Sequence, residues 1–182
     1  MKLASVAGVT PVSLNSVEGT TDELLVRMAR IRGGDAERDP GMVIAAREAA
    51  EQAHAYRAGL LATVEHPAAD PAILIAGVLG VDRRLDGTAA EELGYYLADA
   101  GGPDIRDITR ATTARGNDVV IVERIVIPDD PRATGSGAQL QAVVVDDAKP
   151  RIAVFTLHSM TGRGWLELAT LAGQLVAGMT FG

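Results

Sequence analysis

At 182 residues, with 47% apolar but only 3% aromatic content, the chain suffices for one core and is short for two. A single domain over residues 1–182, packed with Ala, Val, Ile and Leu, is expected. The formal net charge of −7 opposes binding to a phosphate backbone, which requires a basic face, so nucleic acid is not an expected partner. Cysteine is absent, which excludes disulfides, thiolate nucleophiles and thiolate metal sites. Lysine occurs only at positions 2 and 149 beside abundant arginine, a bias expected of a GC-rich bacterial genome.

Met1–Asn15 lacks the charged start, unbroken apolar run and small-residue cleavage site of a secretion signal, so a cytoplasmic protein is expected. Val6, Val9, Val12 and Leu14 suggest an extended opening. Thr20-Thr21-Asp22-Glu23 has the form of a capping box. The helix it opens carries Leu24, Leu25, Met28 and Ile31 at helical spacing and stops at Gly33-Gly34. A second helix starts at Asp39 as cap with Pro40 in the first turn and runs to Arg57. Its inner face is Met42, Ala45, Ala46, Ala49, Ala53 and Tyr56; its outer face is Arg47, Glu48, Glu51 and Gln52.

Leu60–Glu65 and Ile73–Leu79 read as a hairpin punctuated by His66-Pro67 and the Ala-Ala-Asp-Pro run. Thr88-Ala89-Ala90-Glu91 is a second capping box. Its helix runs through Leu93, Tyr96 and Leu97 to Gly101-Gly102, with Tyr96 packed inward and Tyr95 at the surface. Ile105–Thr112, Asp118–Ile127, Gln139–Asp146 and Arg151–Ser159 follow, and sequential strands with such short connections are antiparallel neighbours. The second is apolar on both faces, with Val119, Ile121, Ile125 and Ile127 against Val120, Val122 and Val126, so it is expected to be an interior strand of a sheet covered on both sides. The closing segment places Trp165, Leu168, Leu171, Ala172 and Leu175 on one stripe. Leu168–Gly182 is interrupted by polar residues and glycine and is shorter than the roughly 20 residues a membrane span needs. The expected fold class is therefore α+β: an antiparallel sheet with helices on both faces, its C-terminal part a four-strand meander and a closing helix.

The order of extended start, helices, hairpin, helix, meander and closing helix, carried by Ala49–Glu65, Val119–Ser159 and Trp165–Val176, resembles the PsbP-like α/β/α sandwich. That family includes an extrinsic photosystem II subunit, a Ran-binding nuclear factor and many bacterial proteins. The resemblance covers most of the chain through topology and hydrophobic pattern. It implies a scaffold that binds partners and brings no shared catalytic residues.

The motifs add little chemistry. Glu51-x-x-His54 is the spacing used in di-iron bundles, but those need it twice with two further glutamates, so the expected role is a solvated helix face and no metal site is expected. His158 and Ser159 are adjacent in a strand and point to opposite faces, so the histidine cannot readily activate that serine. Thr161-Gly162-Arg163-Gly164 precedes the closing helix and offers backbone N–H groups and a guanidinium to an anion, although a strand-to-helix turn needs glycine equally. Ala133–Gly137 joins two antiparallel strands and no helix follows, so it reads as a hairpin loop rather than a nucleotide cradle. Asp82–Asp86 is mixed in sign and reads as a solvated turn, with an anion patch as the lesser reading.

No nucleophile, paired acid and base, metal set or cofactor motif is legible, and no cofactor is expected. The reading is a non-enzymatic cytoplasmic protein that binds another protein, as an accessory or chaperone-like component of a bacterial secretion or toxin system. Its contact residues are expected at Asp129, Asp130, Thr134 and Ser136 in the longest, polar connection of the meander. The alternative is a small-molecule or anion binder, or a hydrolase, using His158 with Gly162, Arg163 and Gly164.

Overall fold

The last strand in sequence lies in the middle of the sheet. In the computed structural model, which describes residues 1–33, 39–85, 88–100, 104–126 and 137–182, seven strands and four α-helices follow the expected order among the described residues. The strands are β1 (Val9–Pro11), β2 (Leu60–Val64), β3 (Ala72–Gly80), β4 (Ile105–Thr112), β5 (Asp118–Val126), β6 (Gly137–Asp146) and β7 (Arg151–Ser159). The helices are α1 (Val17–Arg32), α2 (Pro40–Ala55), α3 (Ala89–Ala100) and α4 (Trp165–Ala177).

The strands form one antiparallel sheet in the order β1-β2-β3-β7-β6-β5-β4. The meander runs outward from β7 to β4, while the β2–β3 hairpin docks on the other flank of β7. β7 is thus paired along its whole length on both sides, from Ala72↔Ser159 to Gly80↔Arg151 with β3 and from Ala138↔Ser159 to Asp146↔Arg151 with β6. β5 is also interior, between β4 and β6, as its two apolar faces require. β4 closes the sheet with a register irregularity between Ile105 and Asp107 and charged Arg106, Asp107 and Arg110, features that discourage edge-to-edge pairing.

One face of the sheet is sealed by α4, which packs on β6 and β7. Ala153, Phe155 and Leu157 of β7 meet Leu168, Ala172 and Leu175 of α4 there, all buried. The other face is shared. The α1–α2 pair covers β2 and β3 through Leu24, Met28, Met42, Ala46, Leu61 and Ile73. α3 packs on β4, β5 and β6 through Ala90, Val120, Val122 and Val145. The alanines of α2 allow the close approach the sequence suggested, with Ala46, Ala50 and Ala53 almost wholly buried.

Local details depart from the sequence expectation at several points. α1 begins at Val17, because Ser16 caps it by accepting a hydrogen bond from the Gly19 N–H at 3.1 Å. The Thr20–Glu23 group lies inside the helix and ties it to the preceding chain. Thr20 Oγ1 donates to the Ser13 carbonyl, and Glu23 accepts from the Ser13 N–H. That backbone hydrogen bond, with the Arg27 guanidinium, holds the Glu23 carboxyl below its ordinary range. α2 starts as expected, with Asp39 accepting from Gly41 N–H, but ends at Ala55. Arg57 then takes a positive φ of 50°, so Tyr56 turns outward and is 63% exposed. Tyr96 is also exposed, like Tyr95, because the apolar side of α3 is supplied by Ala90 and Leu93. The anticipated stops at Gly34 and at Gly101-Gly102 lie outside the described residues.

One ion pair locks the β6–β7 turn. Arg151 Nε donates to Asp146 at 2.6 Å, and the carboxylate also accepts from the Ala148 and Lys149 N–H groups. Burial pushes the Asp146 carboxyl up, but those hydrogen bonds and the guanidinium charge outweigh it and hold the group below 3.8. Arg151 also donates to the Gly182 carbonyl and lies over the Phe181 ring at 5.0 Å, so the pair anchors the C-terminal segment.

Asp146→Asn should therefore cost about 1.5–3 kcal/mol at pH 7 in urea unfolding, the usual worth of a hydrogen bond to a charged group. Because the folded carboxyl titrates below the unfolded one, this stabilisation is present above about 3.8 and is lost as pH falls through the folded value. The gap between parent and variant should shrink correspondingly in acid. On α4, Leu168→Ala should cost about 2–5 kcal/mol. Leu171→Ala should cost less, since Leu171 is only half-buried at the rim beside Gly8 and Glu65. Equal losses for the two leucines in the same unfolding assay would contradict this packing.

Candidate functional site

A period-two alternation in β7 builds the site. Ala153, Phe155, Leu157 and Ser159 point to the α4 side and are completely buried, whereas Ile152, Val154, Thr156 and His158 point to the opposite side and are only half-buried. α2 stands over β3 on one flank of that side, and α3 stands over β4–β6 on the other. No helix is packed extensively on the β7 strip between them. An open groove results, its floor formed by β3, β7 and β6.

Two adjoining cavities of about 300 and 350 Å³ make up the groove, and they share Gln52, Ile75 and Thr156. The first is bounded by Glu48, Gln139 and His158, and the second by Tyr56, Leu79, Gln141 and Val154. Register explains the convergence: Gln139 is opposite His158 and Gln141 is opposite Thr156 across the β6–β7 ladder, while Ile73 and Ile75 occupy the same rows on β3. Glu48, Gln52 and Tyr56, four residues apart on and just beyond α2, form the wall. The floor is consequently mixed, apolar along β3 and polar along β6.

His158 is the titratable group of the floor. Burial pushes its imidazole below 6.5, with the Glu48 carboxylate opposing the shift. Among the described residues neither His158 nor Glu48 has a hydrogen-bond or salt-bridge partner, and no hydrogen bond joins His158 to Thr156. The arrangement can contact a polar group but does not contain an aligned nucleophile and base. Ser159 points to the other face and accepts from the Gly162 N–H at 3.0 Å, in accord with the opposite-face reading.

The remaining sequence candidates go elsewhere. Asp129, Asp130, Thr134 and Ser136, expected as contact residues, lie outside the described residues. Arg163 does not line the His158 cavity. It is 3.5 Å from Asp70, and its backbone N–H donates to Thr161, which in turn donates to Asp70. Gly164 has φ +68° and lies against Ala68 and Ala69 so closely that a Cβ would stand 2.3 Å from the Ala69 Cβ. The Gly162–Gly164 loop is thus internally bonded and packed, with glycine demanded by backbone angle and contact. The Glu51–His54 pair is divided, since Glu51 bonds Arg47 and His54 bonds Thr20 at 3.1 Å. Among the described residues no group of three or more His, Asp or Glu side chains is placed to hold a metal, and no helix is long and apolar enough to cross a membrane.

Sequence reasoning missed Gln139, Gln141 and Thr156. Their signal was present as polar residues at alternate positions in two neighbouring strands whose opposite faces are apolar. No protein-family model matches the chain, and no curated protein matches it.

The pKa of His158 has a measurable consequence. A histidine depressed in the folded state is protonated first in the unfolded chain, so stability falls as pH drops from about 6.5 through the folded value. His158→Gln should flatten the loss of unfolding free energy between pH 7.5 and 5.5. An acid loss as steep in the variant as in the parent would assign that loss to other groups.

Proposed function

We propose that this chain is a non-enzymatic, cytoplasmic partner-binding protein, and that the groove between α2 and α3 is its docking site for an amphipathic helix of another protein. The half-exposed face of β7, an otherwise fully paired central strand, carries this reading: a strand there is expected to be covered. Size supports it. Three adjacent strands at about 4.8 Å spacing span about 10 Å, close to the 10–12 Å diameter of a helix with its side chains. The four residues Ile152 to Val154 to Thr156 to His158 extend the floor over about 20 Å, enough for about three helical turns.

Chemistry sets the occupant. Ile73, Ile75, Leu79 and Val154 take an apolar stripe, while Gln139, Gln141 and Thr156 take polar side chains on its flank. The unpaired Glu48 favours a lysine or arginine near one end. The acidic charge disfavours nucleic acid. Within this reading a PsbP-like sandwich is the scaffold, and an accessory or chaperone-like role beside a bacterial secretion or toxin system is the context.

Selection from a displayed library of helical peptides tests the site. Binders should share an apolar i, i+3/i+4, i+7 stripe with a basic residue at one end. Thr156→Trp, which fills the groove, should abolish their binding, and Glu48→Lys should weaken it at least tenfold, with thermal stability retained in both. Peptides that bind the Thr156→Trp protein as tightly as the parent would remove the groove from the interaction. Failure to select any helix would reject it as a helix dock.

A further inference from the structure

A second concavity lies at the opposite end of β7, at the β6–β7 turn. We propose that it binds a small multivalent anion of the phosphate class, a phosphate or pyrophosphate group either free or carried on a larger metabolite, held by Lys2, Arg115 and Lys149. The proposal is independent of the groove. In a chain with net charge −7 and only two lysines, both lysines line the same concavity of about 500 Å³, together with Arg115 and Arg151. The volume is in the range of small-molecule sites.

Each cation is delivered by a fixed piece of backbone. Lys2 exchanges hydrogen bonds with Thr180, N–H to carbonyl in both directions, at 2.8 and 3.0 Å. That bridge sets the N-terminal segment beside the C-terminal one. Lys149 lies in the turn whose N–H groups are bound by Asp146, and its carbonyl accepts from Arg151 N–H. Arg115 lies in the β4–β5 turn, where Thr113 Oγ1 accepts from the Arg115 and Asn117 N–H groups, and Asn117 reaches across to the Val145 carbonyl. The cations converge because three separate turns and segments are stapled together, not because they are neighbours in sequence.

The charge balance defines the ligand. Arg151 is already engaged by Asp146 and Gly182. Among the described residues, Lys2, Arg115 and Lys149 have no ion-pair partner and are exposed at the ammonium-bearing or guanidinium-bearing residue, apart from half-exposed lining at Thr180 and Phe181. Asp147 lines the same concavity and opposes them, and Gly182 brings its carboxyl group against Arg151. Three cations outside any ion pair leave the concavity net positive, and an oxyanion that accepts hydrogen bonds from all three suits it better than chloride. Lysine ammonium groups act as point-charge phosphate binders, and the Arg115 fork adds planar donors.

Thermal unfolding with sodium pyrophosphate, against sodium chloride at equal ionic strength, tests the site in three proteins: the parent, Lys2→Gln/Arg115→Gln/Lys149→Gln, and a control with Arg30, Arg83 and Arg106 each changed to Gln. The control removes the same charge from exposed positions elsewhere. Pyrophosphate at tenfold excess over its dissociation constant should raise the Tm of the parent and the control by about 3–6 °C, saturably, and should leave the site variant unmoved. The Tm values without ligand report folding of each variant in the same scans. No shift in the parent, an equal shift with chloride, or a shift retained in the site variant overturns the proposal. A shift lost in the control alone moves the anion to one of the control positions and overturns it equally.

Discussion

The structure depends on how β7 is buried. It is the last strand made, yet it lies between β3 and β6, so the sheet exists only when a hairpin some 75 residues earlier pairs with it. Phe155, the largest wholly buried side chain, is at the middle of that strand on the α4 side. Its burial requires β3, β6 and α4 to be present together. Nearly every other packing decision follows, because a strand paired on both edges and sealed on one face leaves only its second face free to vary.

That second face is where the architecture economises on cover. Two helices at one flank and one at the other seal β2–β3 and β4–β6 but leave the β7 strip half-exposed. The sequence meets this with polarity at the places where water enters, Gln139, Gln141, Thr156 and His158, and retains apolar Ile73, Ile75 and Val154 beside them. Such a mixed floor tolerates water while leaving apolar area at the surface. Exposed Tyr56 and Ile44 on the α2 side of the same molecule extend the apolar surface available there.

The two ends of β7 differ in chemistry for a local reason. At its start, Arg151 neutralises the buried Asp146 and draws the chain's C-terminal segment across the turn, which collects the two lysines and Arg115. At its finish, the loop from Ser159 to Gly164 uses its own N–H groups on Ser159 and Thr161 and packs glycine against Ala69. The end that looked like an anion loop in the sequence is therefore closed on itself. The end that carried no motif is the one where cations meet.

The sequence by itself determined the elements and most of their sides. Period-two alternation marked β5 and β7, Asp39-Pro40 marked the start of α2, and the Leu168–Leu175 stripe marked the inner face of α4, because these are contacts between near neighbours on one element. Short connections made the meander antiparallel. What only the tertiary structure decided was adjacency between distant segments: that β3 pairs with β7, that Ser13 instead of the local backbone receives Thr20 and Glu23, and that Tyr56 turns outward where Arg57 reverses the chain. The groove and the cationic concavity belong to this second class. Gln139 faces His158, and Lys2 and Lys149 line one concavity, only once strand register and terminal bridging have been set by burial of the whole core, a cooperative property that no local pattern contains.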